Sequence, residues 1–594
     1  MHIVRCITKI VLCFIFFLIT KENASAQKAK APVSVTGSMG VTYEGYGLTV
    51  NPKTPSFYSP RRPWNQVRFN IAPKLQFGKN FSLPFNFNFA TKPTNFAGPY
   101  AGLGALGSQS FAQFITNPLN SFSVNPKYKW AELQLGTQYL NYSELSTGDV
   151  GVFGAGFDLK PPGGYIFKFF TGVSQQGINY SLSPSVPGAY KRTNWMAQIG
   201  REKEGKFKVA FTAAKGRDAA GSVTPSPLPS LINPQEGFVL SLLTNIYLEK
   251  GYYVEAEGAQ SLYSSNTTLG PPSPGGVKSF QPFIVANSST VKDYAATAAF
   301  GKKSTNFDIG LKGKYLGAGF FTMGYPYQQP DRLDVTVNTR FNAWKDKNNA
   351  YKMNVVASIG QRINNMSNTT TRAKQFIGNL NWFTQFDEHW NLNVSYNNFG
   401  FNTNGSTLGG IPSMRNVSND IGINPSYTWS NTKMSNYLSL SYSYSKYDET
   451  TTTIPGGIVT TTSNNTHTAL LSYVPTYFTR KISPDFSILY FLNKTPGFKV
   501  RLVTISSGLG VPLAKDKVNL KGQLQYTLGK NGSATQNNNF IASMNVDYAI
   551  SKKINWTTFM TTNYFKYGNE LGIPLIGANY LESTLRTGLT YRWK

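Results

Sequence analysis

The sequence predicts an all-β protein, a transmembrane antiparallel up-and-down β-barrel of about 22–26 strands. Three observations predict it. Apolar and polar residues alternate with period two over long stretches. The strands so defined run about 10–13 residues, the length needed to cross a bilayer at a tilt. The connections alternate between short turns rich in lysine and long loops rich in Ser, Thr, Asn, Gly and Pro. Closure follows from chemistry, because lipid offers no partner to the backbone groups of an open sheet edge.

Met1–Ala26 reads as a secretory signal. Arg5 and Lys9 precede the apolar run Ile10–Ile19, and Ala24-Ser25-Ala26 supplies small residues for cleavage. Removing it removes Cys6 and Cys13, the only two cysteines. A thiol-free exported chain suits an oxidising compartment. Residues 27–33 form a short periplasmic lead, and 34–594 are the barrel. That lead of about seven residues leaves no space for a folded plug domain before the first strand.

The barrel strands follow in order. Phe81, Leu83, Phe85, Phe87 and Phe89 alternate with Ser82, Pro84, Asn86 and Asn88. Leu333, Val335, Val337 and Phe341 alternate with Arg332, Asp334, Thr336 and Arg340. Leu438, Leu440, Tyr442 and Tyr444 alternate with serines, and Leu520, Leu524, Tyr526 and Leu528 alternate with Lys521, Gln523, Gln525 and Thr527. Leu585, Leu589, Tyr591 and Trp593 end the chain against Arg586, Thr590 and Arg592. The region 127–145 reads either as one strand or as a tight hairpin. No stretch shows sustained helical periodicity with caps.

Short turns are expected at Gly78-Lys-Asn80, Glu202–Gly205, Gly301–Ser304, Ala514–Lys517 and Ser551–Lys553, among others. Long loops are expected at 47–65, 91–126, 177–190, 219–236, 264–290, 319–330, 402–417, 448–466, 529–538 and 567–581. Aromatics gather at strand ends, as at Trp344, Trp390 and Tyr591-Arg-Trp593, where amphipathic rings suit a membrane interface.

The signal ending Ala-Ser-Ala before Gln27, the segment Asn125-Pro-Lys-Tyr-Lys-Trp-Ala-Glu-Leu133 and the terminus Tyr591-Arg-Trp-Lys594 resemble large single-chain, porin-like outer-membrane barrels of the Bacteroidota. The resemblance implies a fold and a location in the outer membrane, and it assigns no substrate. Lys594 departs from the usual aromatic ending. Trp593 is read as part of the signal recognised by the barrel-assembly machinery, a partner during insertion.

Composition narrows the function. The 594 residues hold Lys+Arg 57 against Asp+Glu 28, a formal net charge of +29, with 41 Phe, 34 Tyr, two Cys and three His. So few Cys and His exclude a disulfide scaffold and a zinc cluster. The charge alone would suit nucleic acid, but its placement does not. Lysines fall in the short turns, beside membrane lipid headgroups, or alternate onto the polar strand face. A cation facing lipid at midplane costs about 2–4 kcal/mol, so that face should be the lumen.

The basic residues so placed are Arg68, Lys74, Lys312, Lys314, Arg332, Arg340, Lys352, Arg362, Arg586 and Arg592; the acidic ones are Glu255, Glu257, Asp308 and Asp334. An excess of one sign on a water-filled wall enriches counter-ions. Loop 91–126 is apolar for a loop, and its Leu106, Phe111, Phe114 and Ile115 are candidates to fold inward and narrow the bore. His389 beside Asp387 and Glu388, His467, and the pair Glu255 and Glu257 are the only sequence hints of acid–base chemistry. Each has a plainer reading as a solvated turn, a surface residue or a salt-bridge pair.

The expectation is therefore a channel for passive diffusion of small polar, preferably anionic, solutes, with no enzymatic step, cofactor or metal. The first alternative is a non-conducting barrel that docks a lipoprotein or secretion partner through loops such as 219–236 and 264–290. An outer-membrane hydrolase is the remotest.

Overall fold

The computed structural model describes residues 33–50, 65–90, 120–148, 150–179, 188–224, 232–345, 351–367, 372–403, 413–452, 459–532, 534–567 and 579–593. The signal and lead, and the inward-folding candidates Leu106, Phe111, Phe114 and Ile115, lie outside the described residues.

One antiparallel sheet contains 27 strand segments. They are β1 Val33–Val50, β2 Asn65–Phe77, β3 Phe81–Ala90, β4 Ser121–Val124, β5 Lys127–Tyr128, β6 Ala131–Tyr139, β7 Gly151–Leu159, β8 Tyr165–Gln175 and β9 Lys191–Lys203. There follow β10 Phe207–Ala219, β11 Glu236–Tyr247, β12 Tyr252–Ser264, β13 Thr290–Lys302, β14 Phe307–Leu316, β15 Arg332–Lys345, β16 Tyr351–Asn364, β17 Ala373–Gln385 and β18 Trp390–Thr403. The last are β19 Ser413–Ser430, β20 Met434–Thr452, β21 Val459–Tyr477, β22 Ser483–Thr495, β23 Phe498–Leu513, β24 Val518–Asn531, β25 Ala534–Ala549, β26 Ile554–Tyr567 and β27 Tyr580–Trp593.

Apart from β4 and β5, each strand pairs with its chain neighbour, and β1 closes on β27 from Gly37 opposite Trp593 to Val50 opposite Tyr580. Segments β4 and β5 share one position between β3 and β6, so the wall is a closed barrel of 26 strands. The break at Asn125-Pro126 has a local cause. Proline cannot donate to a ladder, and Pro84 stands across from it, its carbonyl accepting from the Asn125 amide at 3.1 Å. Gly136 sits at the same break with φ 89°, where a Cβ would lie 1.8 Å from the Phe122 carbonyl oxygen. Only glycine fits that approach. The 127–145 ambiguity resolves as a hairpin, turning at Lys129 with φ 50°.

Most exposed apolar side chains share one parity, although Val356, Phe383 and Phe399 are exposed on the other. One face carries exposed apolar residues, such as Phe307, Ile309 and Leu311 on β14, Val335, Val337 and Phe341 on β15, and Leu524 and Tyr526 on β24. This is the outer belt. Its short-turn end carries an aromatic collar, with Trp390, Tyr427, Trp429 and Tyr473 in series at ring separations of 4.6, 5.4 and 6.2 Å. Cations lie over outward tyrosines at the same end, Lys129 on Tyr128 at 5.3 Å and Lys302 on Tyr252 at 5.1 Å.

Several strands exceed the expected length, with 18 residues in β1 and β19 and 19 in β20 and β21. On β20 the outward row runs Leu438, Leu440, Tyr442 and Tyr444, then turns charged at Lys446 and Asp448. At about 3.3 Å per residue and a tilt near 40°, Lys446 to Thr452 rise roughly 17 Å above the belt. Expected loops shrink accordingly, 402–417 among them, since β18 runs to Thr403 and β19 starts at Ser413. Residues 529–538 are mostly strand, with β24 ending at Asn531 and β25 starting at Ala534. Loop 448–466 contracts to the stretch between Thr452 and Val459. Above the belt both faces of a strand meet water, so such strands read as polar loops by composition.

Candidate functional site: two inward loops and shared carboxylates

The packed interior lies where two loops fold onto the inner wall. The first is 140–150, between β6 and β7. It reaches Lys168 on β8, through a cation–ring contact with Tyr142 at 5.5 Å, and Lys314 on β14, through Glu144 at 2.9 Å. A segment this short can touch strands that far apart only across the concave side of the wall, so the face it contacts is the lumen.

Leu145 is the apex, with 0% exposure, packed with Val239, Ala259, Ala295, Leu316 and Phe320. Burying a leucine fully contributes about 1.5–3 kcal/mol. Leu140 and Tyr142 pack with Val152, Phe170, Met196 and Ala214 in an adjoining cluster. The buried backbone is satisfied by the wall. Glu257 on β12 takes the Leu145 amide, Gln198 on β9 donates to the Tyr142 carbonyl at 2.9 Å, and Ser143 meets Ser241 on β11 at 3.2 Å.

The second loop, 317–331, joins β14 to β15 and docks beside the first. The Gly319 amide donates to Asp293 at 2.7 Å, and Phe321 lies against Tyr263 with rings 4.3 Å apart. The loops also bond each other: Thr322 donates to the Ser146 carbonyl at 2.7 Å, Gly148 to the Gly324 carbonyl at 2.9 Å, and Gln328 to the Glu144 carbonyl at 3.1 Å. Together they form one fixed ledge on the β8–β15 side of the lumen.

The expected lumen residues share this inward face by register. Thr42, Arg68 and Gly588 are neighbours, as are Ser38 and Arg592, Thr36 and Lys74, and Lys314 and Asp334. Among the described residues of this face, three carboxylates are each shared by two cations. Glu144 takes Lys312 on Oε2 and Lys314 on Oε1, both at 2.9 Å. Asp334 takes Arg362 at 2.7 Å and Arg332 at 3.3 Å. Glu44 takes Arg68 at 3.3 Å and Arg586 at 3.7 Å. The two arginines line a cavity of about 430 Å³ together with Asn70, Asn88 and Thr590.

Other inward charges pair singly. Arg340 meets Asp308 at 2.8 Å, Arg192 meets Asp218 at 2.7 Å, and Glu255 meets Lys303 at 3.9 Å. Lys74, Lys352 and Arg592 share the inward parity of their strands. Burial pushes the Glu144 carboxyl up, yet the hydrogen bonds and charges of Lys312 and Lys314 outweigh it and hold it below the usual carboxylate range.

Glu44, Glu144, Asp218 and the ledge itself are absent from the sequence-derived site. Loop 140–150 begins inside the ambiguous 127–145 stretch, and its Tyr-Ser-Glu-Leu-Ser-Thr composition resembles any surface loop. Loop 319–330 was expected to be long, and its inward fold has no sequence signature beyond its apolar Phe320, Phe321 and Met323.

The stretch 265–289, within the expected loop 264–290, folds down over the outer wall. Phe283 and Ile284 pack on Trp195, Phe238 and Leu262, with Phe283 stacked on Phe238 at 4.7 Å. The two described histidines lie apart from one another. His389 is in a turn where Nδ1 lies 2.7 Å from the Thr428 carbonyl, and Asp387 caps that turn by accepting the His389 and Trp390 amides. His467 lies on β21, 3.0 Å from the Tyr442 hydroxyl. Among the described residues, no group of three His, Cys, Asp or Glu side chains is placed to hold a metal ion.

The closed register and outward apolar belt define a large β-barrel of the outer-membrane type. No protein-family profile matches the chain, and no curated protein does. Solved structures match it at low identity. The P pilus usher translocation pore PapC is 9% identical over 92% of this chain and 99% of that one, with a TM-score of 0.38. The Pseudomonas aeruginosa ferric enterobactin receptor PfeA is 9% identical over 94% and 80%, at 0.39. Pseudomonas aeruginosa OccK1 (OpdK) is 8% identical over 61% and 93%, at 0.29. Values this low transfer no activity to this chain.

Proposed function

We propose that the chain is an outer-membrane channel for passive diffusion of small polar solutes, that it favours anions, and that loops 140–150 and 317–331 set the bore. The short-turn rim, which also carries Trp593, faces the periplasm. The observation that carries the reading is the set of three inward carboxylates, each shared by two cations. One acid cannot neutralise two bases, so Glu44, Glu144 and Asp334 each sit in a locally positive group. Lys74, Lys352 and Arg592 add inward charge. In a narrow water-filled passage with low-dielectric walls, such a field raises the local anion concentration.

The two loops supply what a barrel this wide lacks. A barrel of more than about 20 strands encloses far more space than a small solute needs, and internal segments must reduce it. Here they do so beside the cations, so a passing solute is brought against Lys312, Lys314, Arg332 and Arg362. No group is transferred, and no cofactor takes part.

The test is single-channel conductance and reversal potential of the purified protein in a planar bilayer under a salt gradient. An anion-selective conductance that loses selectivity when Arg332 and Arg340 are changed to Gln supports the reading. A folded barrel that carries no current overturns it.

A further inference from the structure

The ledge holds a carboxylate of its own where a solute would pass. Glu144 projects from loop 140–150 with each oxygen on a different lysine, Lys312 and Lys314, both at 2.9 Å. The two lysines lie two residues apart on β14, on the inward face. Glu144 is 39% exposed and Lys312 is 40% exposed, so this pair opens to the lumen, whereas Lys314 is 12% exposed.

The backbone around Glu144 does not depend on that contact. Leu145 is held by Glu257, the Tyr142 carbonyl by Gln198, the Ser146 carbonyl by Thr322, and the Glu144 carbonyl by Gln328. The Glu144 side chain can therefore swing out by rotamer change while the ledge stays in place. Swinging out leaves two ammonium groups spaced for the two oxygens of one planar carboxylate.

We propose that Lys312 and Lys314 form a carboxylate-binding site in the channel, and that Glu144 is its tethered occupant, which a permeating organic acid displaces. The inference rests on the channel reading and names the class of solute. The exchange is one of like for like: one carboxylate leaves two ammonium groups as another arrives, so the charge of the site is unchanged. That keeps the exchange close to balanced and reversible, as passage requires, because a site must bind well enough to fill and weakly enough to empty.

Charge and geometry favour a carboxylate over a tetrahedral oxyanion. Two donors serve two oxygens, and a phosphate would bring further oxygens toward Asp334, which stands opposite Lys314 in the sheet. Arg332 is on the same face, held by Asp334 at 3.3 Å, and its charge adds to the attraction without occupying the clamp.

The experiment uses the full barrel, with butyrate, its neutral analogue butyramide and inorganic phosphate as probes. Binding is measured by calorimetry in detergent, and block of chloride current is measured in a planar bilayer. Butyrate is expected to bind saturably, and Glu144→Gln, which removes the competing charge, is expected to tighten it by about tenfold. Lys312→Gln with Lys314→Gln should abolish saturation while heat-modifiable migration shows the barrel still folded. Butyrate binding that is unchanged or weaker in Glu144→Gln overturns the proposal. So does phosphate binding that matches butyrate in strength and in its response to Glu144→Gln. Saturable butyrate binding without any current would sink the channel reading and leave the site standing. Current without saturable binding would sink the site and leave the channel.

Discussion

Glu257 on β12 accepts the amide of Leu145 with both carboxylate oxygens at 3.3 Å, although the two residues are 112 positions apart in the chain. Glu257 is 2% exposed and Leu145 is fully buried. The contact is the point where the inner wall fixes the apex of the ledge. It also explains why a carboxylate survives on a buried stretch of strand. It satisfies an amide that the loop, with no helix or sheet partner there, cannot satisfy itself.

Removing it should loosen the ledge without opening the wall. A buried amide left without its acceptor costs about 1–3 kcal/mol. Glu257→Ala is expected to raise amide hydrogen exchange across 140–148 and to enlarge and destabilise the conductance steps. The β12 strand keeps its ladder to β11 and β13, so heat-modifiable migration should be unchanged. Protection of the Leu145 amide equal to wild type would show that the apolar packing of Leu145 alone holds the loop.

The two loops should also depend on their mutual approach. A Cβ on Gly324 would lie 2.7 Å from the Ser146 carbonyl oxygen, closer than real contacts allow. Gly324→Ala must push 317–331 away from 140–150, and overpacking of this kind costs about 1–3 kcal/mol. The expected readout is a change in conductance with the hydrogen bond from Gly148 to Gly324 lost, seen as faster exchange at the Gly148 amide. A variant identical to wild type in both respects would mean that the loops dock independently.

How much of this was legible follows the physics of each part. Strand alternation is imposed by the contrast between the two sides of the wall, so the strand holding Leu333 to Phe341 against Arg332 to Arg340 could be read directly. Where that contrast ends, legibility ends with it. Lys446 to Thr452 and Ala534 to Asn539 are strand ends beyond the outward apolar rows, and their composition is that of loops. The ledge was hidden for a different reason. Glu144 gains its meaning from Lys312 and Lys314, which lie 168 and 170 residues away, and no local pattern encodes that meeting. Single positive residues were visible, but their sharing of Glu44, Glu144 and Asp334 was not, since register across distant strands decides it.

The Glu144 clamp predicts a pH dependence with a definite sign. Its carboxyl is held below the usual range by Lys312 and Lys314 against the opposing effect of burial. A depressed value means that the clamp's contribution is fully present above the ordinary carboxylate pKa of about 4.3 and is lost only as pH falls through the lowered folded value. Lys312 and Lys314 on β14, Glu257 on β12 and Arg332 on β15 are the charged groups facing it. Open-channel current should be flat from pH 7 to about 5 and change only in stronger acid, with Glu144→Gln lacking that acid transition. A transition near neutral pH that survives in Glu144→Gln would assign the titration to another group.

The outward belt can be tested by the cost of charge. Ile199 on β9 is 54% exposed on the outer face, in a row with Phe211 and Leu242 on the next two strands, which are 46% and 51% exposed. In water such a row would be an aggregation hazard; in a bilayer it is the solvated surface. Ile199→Arg is expected to destabilise the barrel in lipid by about 2–4 kcal/mol if the row sits near midplane, and by about 0–1 kcal/mol if it sits near an interface. Its neighbour Gln198 points inward to the Tyr142 carbonyl, so Gln198→Arg is the matched control on the opposite parity, where the charge meets the ledge instead of lipid. Reversible unfolding in lipid vesicles separates the cases. The outer-face substitution should lose stability in vesicles and little in detergent micelles, whose thin, deformable shell lets an arginine reach water. Equal losses in both media would place Ile199 in a protein contact and remove it from the lipid belt.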